Sequence, residues 1–128
     1  MAETDIFAPW RAALAARELR IPQCSSCGSW NWYPLPSCRV CQADRFEWRS
    51  VAPRGTLYSW TRVHRAFTRR LSMSLPYVVG VVDLEGAPGV RLVCRAAGTV
   101  ADPLTGSPVN LSPELDGDEP YWLFEAVD

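Results

Sequence analysis

The sequence predicts a mainly β fold: one N-terminal helix, a cysteine-stapled hairpin unit, then a small closed barrel of five strands. Three observations carry that expectation. Four cysteines fall in two pairs, Cys24/Cys27 and Cys38/Cys41, with ten residues between the pairs. A run with helical spacing of apolar residues lies ahead of them. From Gly55 onward the apolar residues change to strand patterning, punctuated by glycine- and proline-rich turns. The expected boundaries are 1–20 for the helix, 21–50 for the hairpin unit and 51–128 for the barrel.

A chain of 128 residues suits one ordinary domain or two very small ones. At 48% hydrophobic and 21% charged residues it has the composition of a soluble globular protein. No apolar run approaches the roughly 18–20 residues of a membrane span. The start, Met1-Ala2-Glu3-Thr4-Asp5, is acidic and lacks the charged-then-apolar pattern of a signal peptide. The expected location is the cytoplasm.

The helix is expected over residues 5–20. Asp5 or Thr4 can cap it, and Phe7, Trp10 and Leu14 form one stripe at i, i+3, i+7. Four alanines add propensity, and Pro9 falls near the first turn, where it is tolerated. Such a stripe needs a surface to lie on. Two surfaces are open at this point: the chain's own hairpin unit, or another subunit.

The second element follows from Cys24-Ser25-Ser26-Cys27 and Cys38-Arg39-Val40-Cys41. A two-residue gap lets both thiolates of a pair turn toward one point. Two such turns opposed across a hairpin supply four sulfurs in a tetrahedron. In a reducing compartment this reads as a structural metal site, one ion per chain, with Zn2+ favoured over iron. Four thiolates leave no open position for substrate or water, so the site holds the chain together and does no chemistry. Between the pairs, Trp30-Asn31-Trp32-Tyr33-Pro34 looks strand-like, and Phe46 to Val51 alternates as a half-exposed strand does. The fifth cysteine, Cys94, lies in an apolar run and reads as a buried small hydrophobe.

The barrel strands are expected at Gly55–His64, Pro76–Leu84, Gly89–Ala97, Val109–Leu111 and Glu119–Val127. On the first, simple alternation puts Leu57, Ser59, Thr61 and Val63 on one face, with Tyr58, Trp60, Arg62 and His64 on the other. Gly80, inside the second, marks a bend or a close backbone approach. Five short strands fit an OB-fold, with an SH3-like barrel as the competitor on pattern alone.

Charge is unevenly spread. Residues 1–70 carry eleven arginines against five acids, a net of +6; residues 71–128 carry two arginines against nine acids, a net of −7. The first half can therefore meet an anion. Its strongest cationic stretch is Arg65-Ala66-Phe67-Thr68-Arg69-Arg70, followed by Leu71 and Met73, a loop able to touch both a phosphate and an apolar chain. His64 is the only histidine, and no nucleophile or carboxylate is placed in sequence to form a catalytic set with it. No catalytic residue is assigned. Aromatic residues such as Trp30, Trp32, Trp48, Tyr58 and Trp60 raise an alternative, a single-stranded nucleic-acid-binding barrel. The overall charge of −1 and the acidic barrel half oppose it.

The order of a short helix, CxxC–CxxC, Arg54-Gly55-Thr56-Leu57-Tyr58-Ser59-Trp60-Thr61, then Leu75-Pro76-Tyr77-Val78-Val79-Gly80-Val81-Val82 resembles one family. These are the acyl-CoA-associated OB-fold proteins with an N-terminal rubredoxin-like zinc ribbon, long catalogued as domain of unknown function thirty-five. The resemblance covers residues from about 10 to 125. One departure is Gln42, where the second cysteine turn usually has the glycine that supplies a left-handed residue. The resemblance implies a non-catalytic accessory subunit in a hetero-oligomer with a thiolase-superfamily enzyme (a thiolase, acyltransferase or thiolase-like aldolase) or a hydratase. It implies that the helix stripe of Phe7, Trp10 and Leu14 and the ribbon dock on that enzyme. It also implies that the barrel helps hold the acyl-CoA, with Arg65, Phe67, Arg69 and Arg70 as the coenzyme A contacts.

Overall fold

A proline at one end and a left-handed residue at the other cut the helix short. In the computed structural model, which describes residues 6–64, 76–97, 102–115 and 121–127, α1 spans Ala8–Ala15 and not the expected 5–20. Phe7 occupies the N-cap and makes no side-chain cap bond; Thr4 and Asp5 lie outside the described residues. Pro9 sits in the first turn, where its missing N–H costs nothing. At the other end Arg17 takes φ 62°. Its N–H reaches the Leu14 carbonyl at 2.9 Å, and the Glu18 N–H reaches the Ala13 carbonyl at 2.8 Å. These are the two bonds of a Schellman ending, with arginine where glycine is usual. Eight residues cannot persist as a helix in water. Burial of Ala13 and Leu14 holds this one in place.

After α1 the chain forms a two-stranded antiparallel sheet. Strand β1 is Arg20–Cys24 and β2 is Phe46–Ser50, in register from Arg20 opposite Ser50 to Cys24 opposite Phe46. The Trp30–Pro34 stretch, expected to be strand-like, makes only one bridge, Trp30 to Gln23. The residues beyond it turn away, because Trp32 packs back on the helix: its ring lies 4.5 Å from that of Trp10. Two backbone bonds lead from the ribbon into the barrel. The Val51 N–H reaches the Leu19 carbonyl and the Leu111 N–H reaches the Pro53 carbonyl, each at 2.8 Å.

The barrel comprises β3 (Arg54–Val63), β4 (Tyr77–Leu84), β5 (Arg91–Ala96), β6 (Pro108–Glu114) and β7 (Tyr121–Ala126). It closes in the order β3-β4-β5-β7-β6, with β3 returning to β6. All pairs are antiparallel except β5–β7. Five strands in this closed order make the OB-fold expected from the sequence. β6 is longer than expected. Pro113 lies within it, opposite Trp122.

The first barrel strand departs from simple alternation. Its register against β4 shifts between Leu57 and Ser59, so Tyr58 is the extra residue of a β-bulge. Beyond it the faces exchange. Leu57 is fully buried, and Trp60 packs against the same core, whereas alternation put them on opposite faces. Tyr58 is 50% exposed. Trp60 lies opposite Gly80. A side chain at Gly80 would meet Phe124 at 2.6 Å and Leu57 at 2.9 Å, so the glycine marks a close approach inside the barrel and not a bend.

One continuous cluster of buried side chains runs from Leu14, Leu19 and Ile21 through Val51 to the barrel interior, including Leu57, Val82, Leu92 and Phe124. Cys94 belongs to it at 1% exposure, the small hydrophobe its context suggested, and burial pushes its thiol up to about 12. Replacing Gly80 with alanine is expected to overpack this interior at a cost of about 2 kcal/mol. Urea unfolding monitored by tryptophan fluorescence checks it: a midpoint equal to that of the parent chain would show that Phe124 and Leu57 have room to yield.

Candidate metal centre

Both cysteine turns are built the same way. The Gly28 N–H bonds to the Cys24 carbonyl at 2.9 Å, and the Gln42 N–H bonds to the Cys38 carbonyl at 2.8 Å. Both closing residues are left-handed, Gly28 at φ 80° and Gln42 at φ 63°. The second turn therefore keeps the required backbone without the usual glycine. In each, the first sulfur accepts backbone N–H groups from the residues that follow. Ser26 and Cys27 donate to Cys24 Sγ at 3.4 and 3.5 Å, and Val40 donates to Cys38 Sγ at 3.4 Å. The N–H groups aim at the sulfur because the turn wraps around it, and they favour its anionic form.

The strand pairing of β1 with β2 and the fold-back of residues 25–45 bring the turns face to face. All four sulfurs lie within 4.8 Å of one another. Cys24 Sγ is 3.6 Å from Cys41 Sγ, and Cys27 Sγ is 3.7 Å from Cys38 Sγ. A disulfide needs about 2.05 Å. A tetrahedron with metal–sulfur bonds of about 2.3 Å has edges of about 3.8 Å, which is the spacing of the two closest pairs. The four cysteines the sequence singles out are thus brought together, and their donor set and spacing fit a zinc ion. Bound there, the ion would cross-link the two turns.

The protonation behaviour of the thiols points the same way. Cys38 is lowered to about 6, chiefly by the Cys41 N–H, with Val40, Asn31 and Cys27 also contributing. At Cys41 the Ala43 N–H pulls down, but burial and the sulfurs of Cys24, Cys27 and Cys38 outweigh it and push the thiol up to about 11. Four neighbouring thiols cannot all ionise on their own; a divalent cation removes the obstacle.

One residue that sequence reasoning did not single out stands beside the sulfurs. Among the described residues, Asn31 is the polar side chain with no exposure. Its carboxamide links the second turn to Ser29, the residue that follows the first. Nδ2 donates to the Ser29 carbonyl at 3.2 Å and to Cys38 Sγ at 3.5 Å, while Oδ1 accepts the Arg39 N–H at 3.1 Å. The signal available in the sequence was a single amide between two tryptophans.

The helix stripe turns toward the chain's own ribbon. Leu14 is 1% exposed inside this chain, so it anchors the helix to its own core. The Phe7 ring lies 6.3 Å from both Trp32 and Tyr33. Beside them, Ile6, Pro9, Pro22, Pro34, Leu35, Phe46 and Trp48 line a groove of 190 Å³. Tyr33 (55%) and Leu35 (44%) remain exposed.

Arg65, Phe67, Arg69 and Arg70 lie outside the described residues. The strand ends that flank them do not. The pairing of β3 with β4 ends at Val63 opposite Tyr77. Nearby, Arg62 bonds Asp102 at 3.1 Å, and Arg95 stacks between Tyr77 and Tyr121, at 5.9 and 4.0 Å. His64 is exposed at the end of this strand. Among the described residues no helix is long and apolar enough to cross a membrane.

Comparison with known proteins finds two family profiles that together cover most of the chain. Residues 11–47 match the rubredoxin-like zinc ribbon domain of ChsH2, and residues 48–121 match its C-terminal OB-fold domain. A benzoylsuccinyl-CoA thiolase subunit, BbsA, from Thauera aromatica is 32% identical over 68% of this chain and 68% of its own length. A probable enoyl-CoA hydratase alpha subunit from Thermomonospora curvata is 33% identical over 80% of this chain; the match spans only 31% of that longer protein. A chain of the solved Ltp2-ChsH2(DUF35) aldolase superposes with a TM-score of 0.82 at 28% identity, covering 98% of both chains.

Two outcomes are expected at this centre. Protein with the parent sequence should carry about one zinc per chain, and Cys27→Ser less than about a tenth of that, with loss of the ribbon's near-ultraviolet dichroism. Elemental analysis checks it. Because each thiol that is protonated in the free protein must release its proton to bind metal, Cys41 at about 11 among them, zinc affinity should fall at least about tenfold per unit as pH drops from 8 to 6. Chelator competition across that range checks the sign.

Proposed function

The chain belongs to the ChsH2 family of zinc-ribbon and OB-fold proteins, and on that footing we propose that it is a non-catalytic accessory subunit. It docks on a thiolase-superfamily enzyme or a hydratase and helps bind the acyl-CoA substrate. The observation that carries this reading is the match over 98% of both chains to a component of an aldolase complex, joined to relatives named as a thiolase subunit and a hydratase subunit. The chemistry of the chain agrees. Its one cluster of metal-binding side chains among the described residues is a closed set of four sulfurs, which offers no coordination position to a substrate.

Docking falls to the face formed by the helix and the ribbon. Phe7 and Trp10 are half-buried and pack on Trp32. Exposed Leu35 lines an apolar groove with Ile6, three prolines, Phe46 and Trp48, and Tyr33 is exposed as well. Large aromatic residues part-covered in this way are the usual energetic centres of interfaces. Leu14, being internal, contributes by fixing the helix. The coenzyme A contacts fall to Arg65, Phe67, Arg69 and Arg70. Supporting them is the character of the barrel end from which their loop departs, which already gathers Arg62, Arg95, Tyr77 and Tyr121. Guanidinium groups suit the phosphates, and apolar side chains suit the pantetheine arm.

Two measurements test the reading. In the assembled complex, Arg69→Ala/Arg70→Ala should raise the KM for acyl-CoA about tenfold and leave kcat nearly unchanged, as loss of uniform binding does. Phe7→Ala/Trp10→Ala should weaken assembly with the partner enzyme by about 2 kcal/mol, read by size-exclusion chromatography or calorimetry. Unchanged assembly would sink the docking face. Salt-sensitive binding of single-stranded oligonucleotides by the isolated chain, with no effect of the arginine pair on acyl-CoA kinetics, would replace the whole reading with nucleic-acid binding.

A further inference from the structure

Residues 29–32 read Ser29-Trp30-Asn31-Trp32 and divide their side chains between two neighbours. Trp30 and Trp32 pack against the apolar core. Ser29 and Asn31 face the sulfurs: Ser29 Oγ lies 3.2 Å from Cys27 Sγ, and Asn31 Nδ2 lies 3.5 Å from Cys38 Sγ. Asn31 is further tied by its own backbone N–H to the Pro22 carbonyl at 2.9 Å. Its amide orientation is set by its surroundings. Oδ1 meets an N–H group and Nδ2 meets a carbonyl and a sulfur; a flipped amide would put donor against donor.

We propose that Asn31 is a positioning residue of the metal centre, clamping the two cysteine turns together while donating a hydrogen bond to the Cys38 sulfur. The inference rests on the reading of the four cysteines as a zinc site. Asparagine is suited to this place because one planar group supplies donor and acceptor at once. An aspartate keeps the acceptor for the Arg39 N–H but cannot donate to sulfur, and it adds negative charge beside four thiolates. A leucine fills the volume and does neither. Groups that hydrogen-bond metal ligands orient them, and removing such groups commonly weakens metal binding by about 10–100-fold. Asn31 also lies one residue from Trp32, whose ring stacks on Trp10 at 4.5 Å. The same four-residue stretch therefore touches both the metal centre and the helix.

The test uses the full-length chain with Asn31→Asp and Asn31→Leu, zinc affinity by chelator competition at one pH, and the sulfur-to-metal charge-transfer band of the cobalt(II)-substituted protein. The expected result is a loss of affinity of about 10–100-fold in Asn31→Asp, at least as large as in Asn31→Leu, with a displaced cobalt band. A clamp with no influence on the sulfur predicts the reverse order, since Asp keeps the bond to Arg39; Leu clearly worse than Asp overturns the inference. So does an Asp variant with parental zinc affinity or an unmoved band. If Asn31→Leu does not fold, the Asp affinity and its cobalt band decide. A parent chain that takes up no zinc overturns the metal reading itself. A zinc-loaded parent with an indifferent Asp variant overturns only the role of Asn31.

Discussion

Four sulfurs held within 4.8 Å of one another are the constraint on which the rest of the chain depends. As thiolates they repel; joined through a divalent cation they become a cross-link between residues 24 and 41. The ribbon sheet has two strands of five residues each, and a lone two-stranded sheet is marginal in water. With the turns fixed, β1 can present Ile21, fully buried, and the preceding Leu19 to the barrel. The helix follows. It lacks a side-chain cap at its start and ends on a left-handed arginine, so its position comes from Leu14 in the core and from the tryptophans of the ribbon.

Ribbon and barrel are successive in sequence but share one interior. Side chains from the helix, from β1 and from all five barrel strands belong to a single buried cluster. On the accessory-subunit reading this has a mechanical meaning. A helix-and-ribbon face that meets an enzyme and a barrel end that meets its substrate are held in one body by packing, not by a linker. Packed interiors transmit displacement poorly tolerated elsewhere, so a partner seated on one face constrains the geometry of the other.

The sequence was most readable where chemistry demands particular residues at particular spacings. The paired cysteines announce their convergence, Gly80 announces a bend or a close approach, of which the second is found, and turn residues bound each barrel strand to within a few positions. What escaped was decided by contacts distant in sequence. The expected helix runs too long because Glu18, Leu19 and Arg20 suit a helix as well, while the ending is a backbone event that arginine does not advertise. Trp30–Pro34 alternates like a strand, yet Trp32 finds its partner in Trp10 and the chain turns. Asn31 reads as a polar residue in a hairpin, and only the fold-back of the second cysteine turn gives its amide two of its three partners.

The bulge at Tyr58 gives β3 a parity that its sequence alone conceals. Ahead of it Leu57 faces inward; behind it Trp60, opposite Gly80, faces inward too. The single extra residue works as a spatial reading frame. Pairing the same ten residues with β4 without the bulge would turn every residue beyond Tyr58 to the opposite side. Trp60 would leave the core, and Arg62, which meets Asp102 at the barrel end, would point away from it. Relatives that keep the length of this strand but pair it without a bulge are therefore expected to differ in which side chains the barrel end displays, even where the residues themselves are the same.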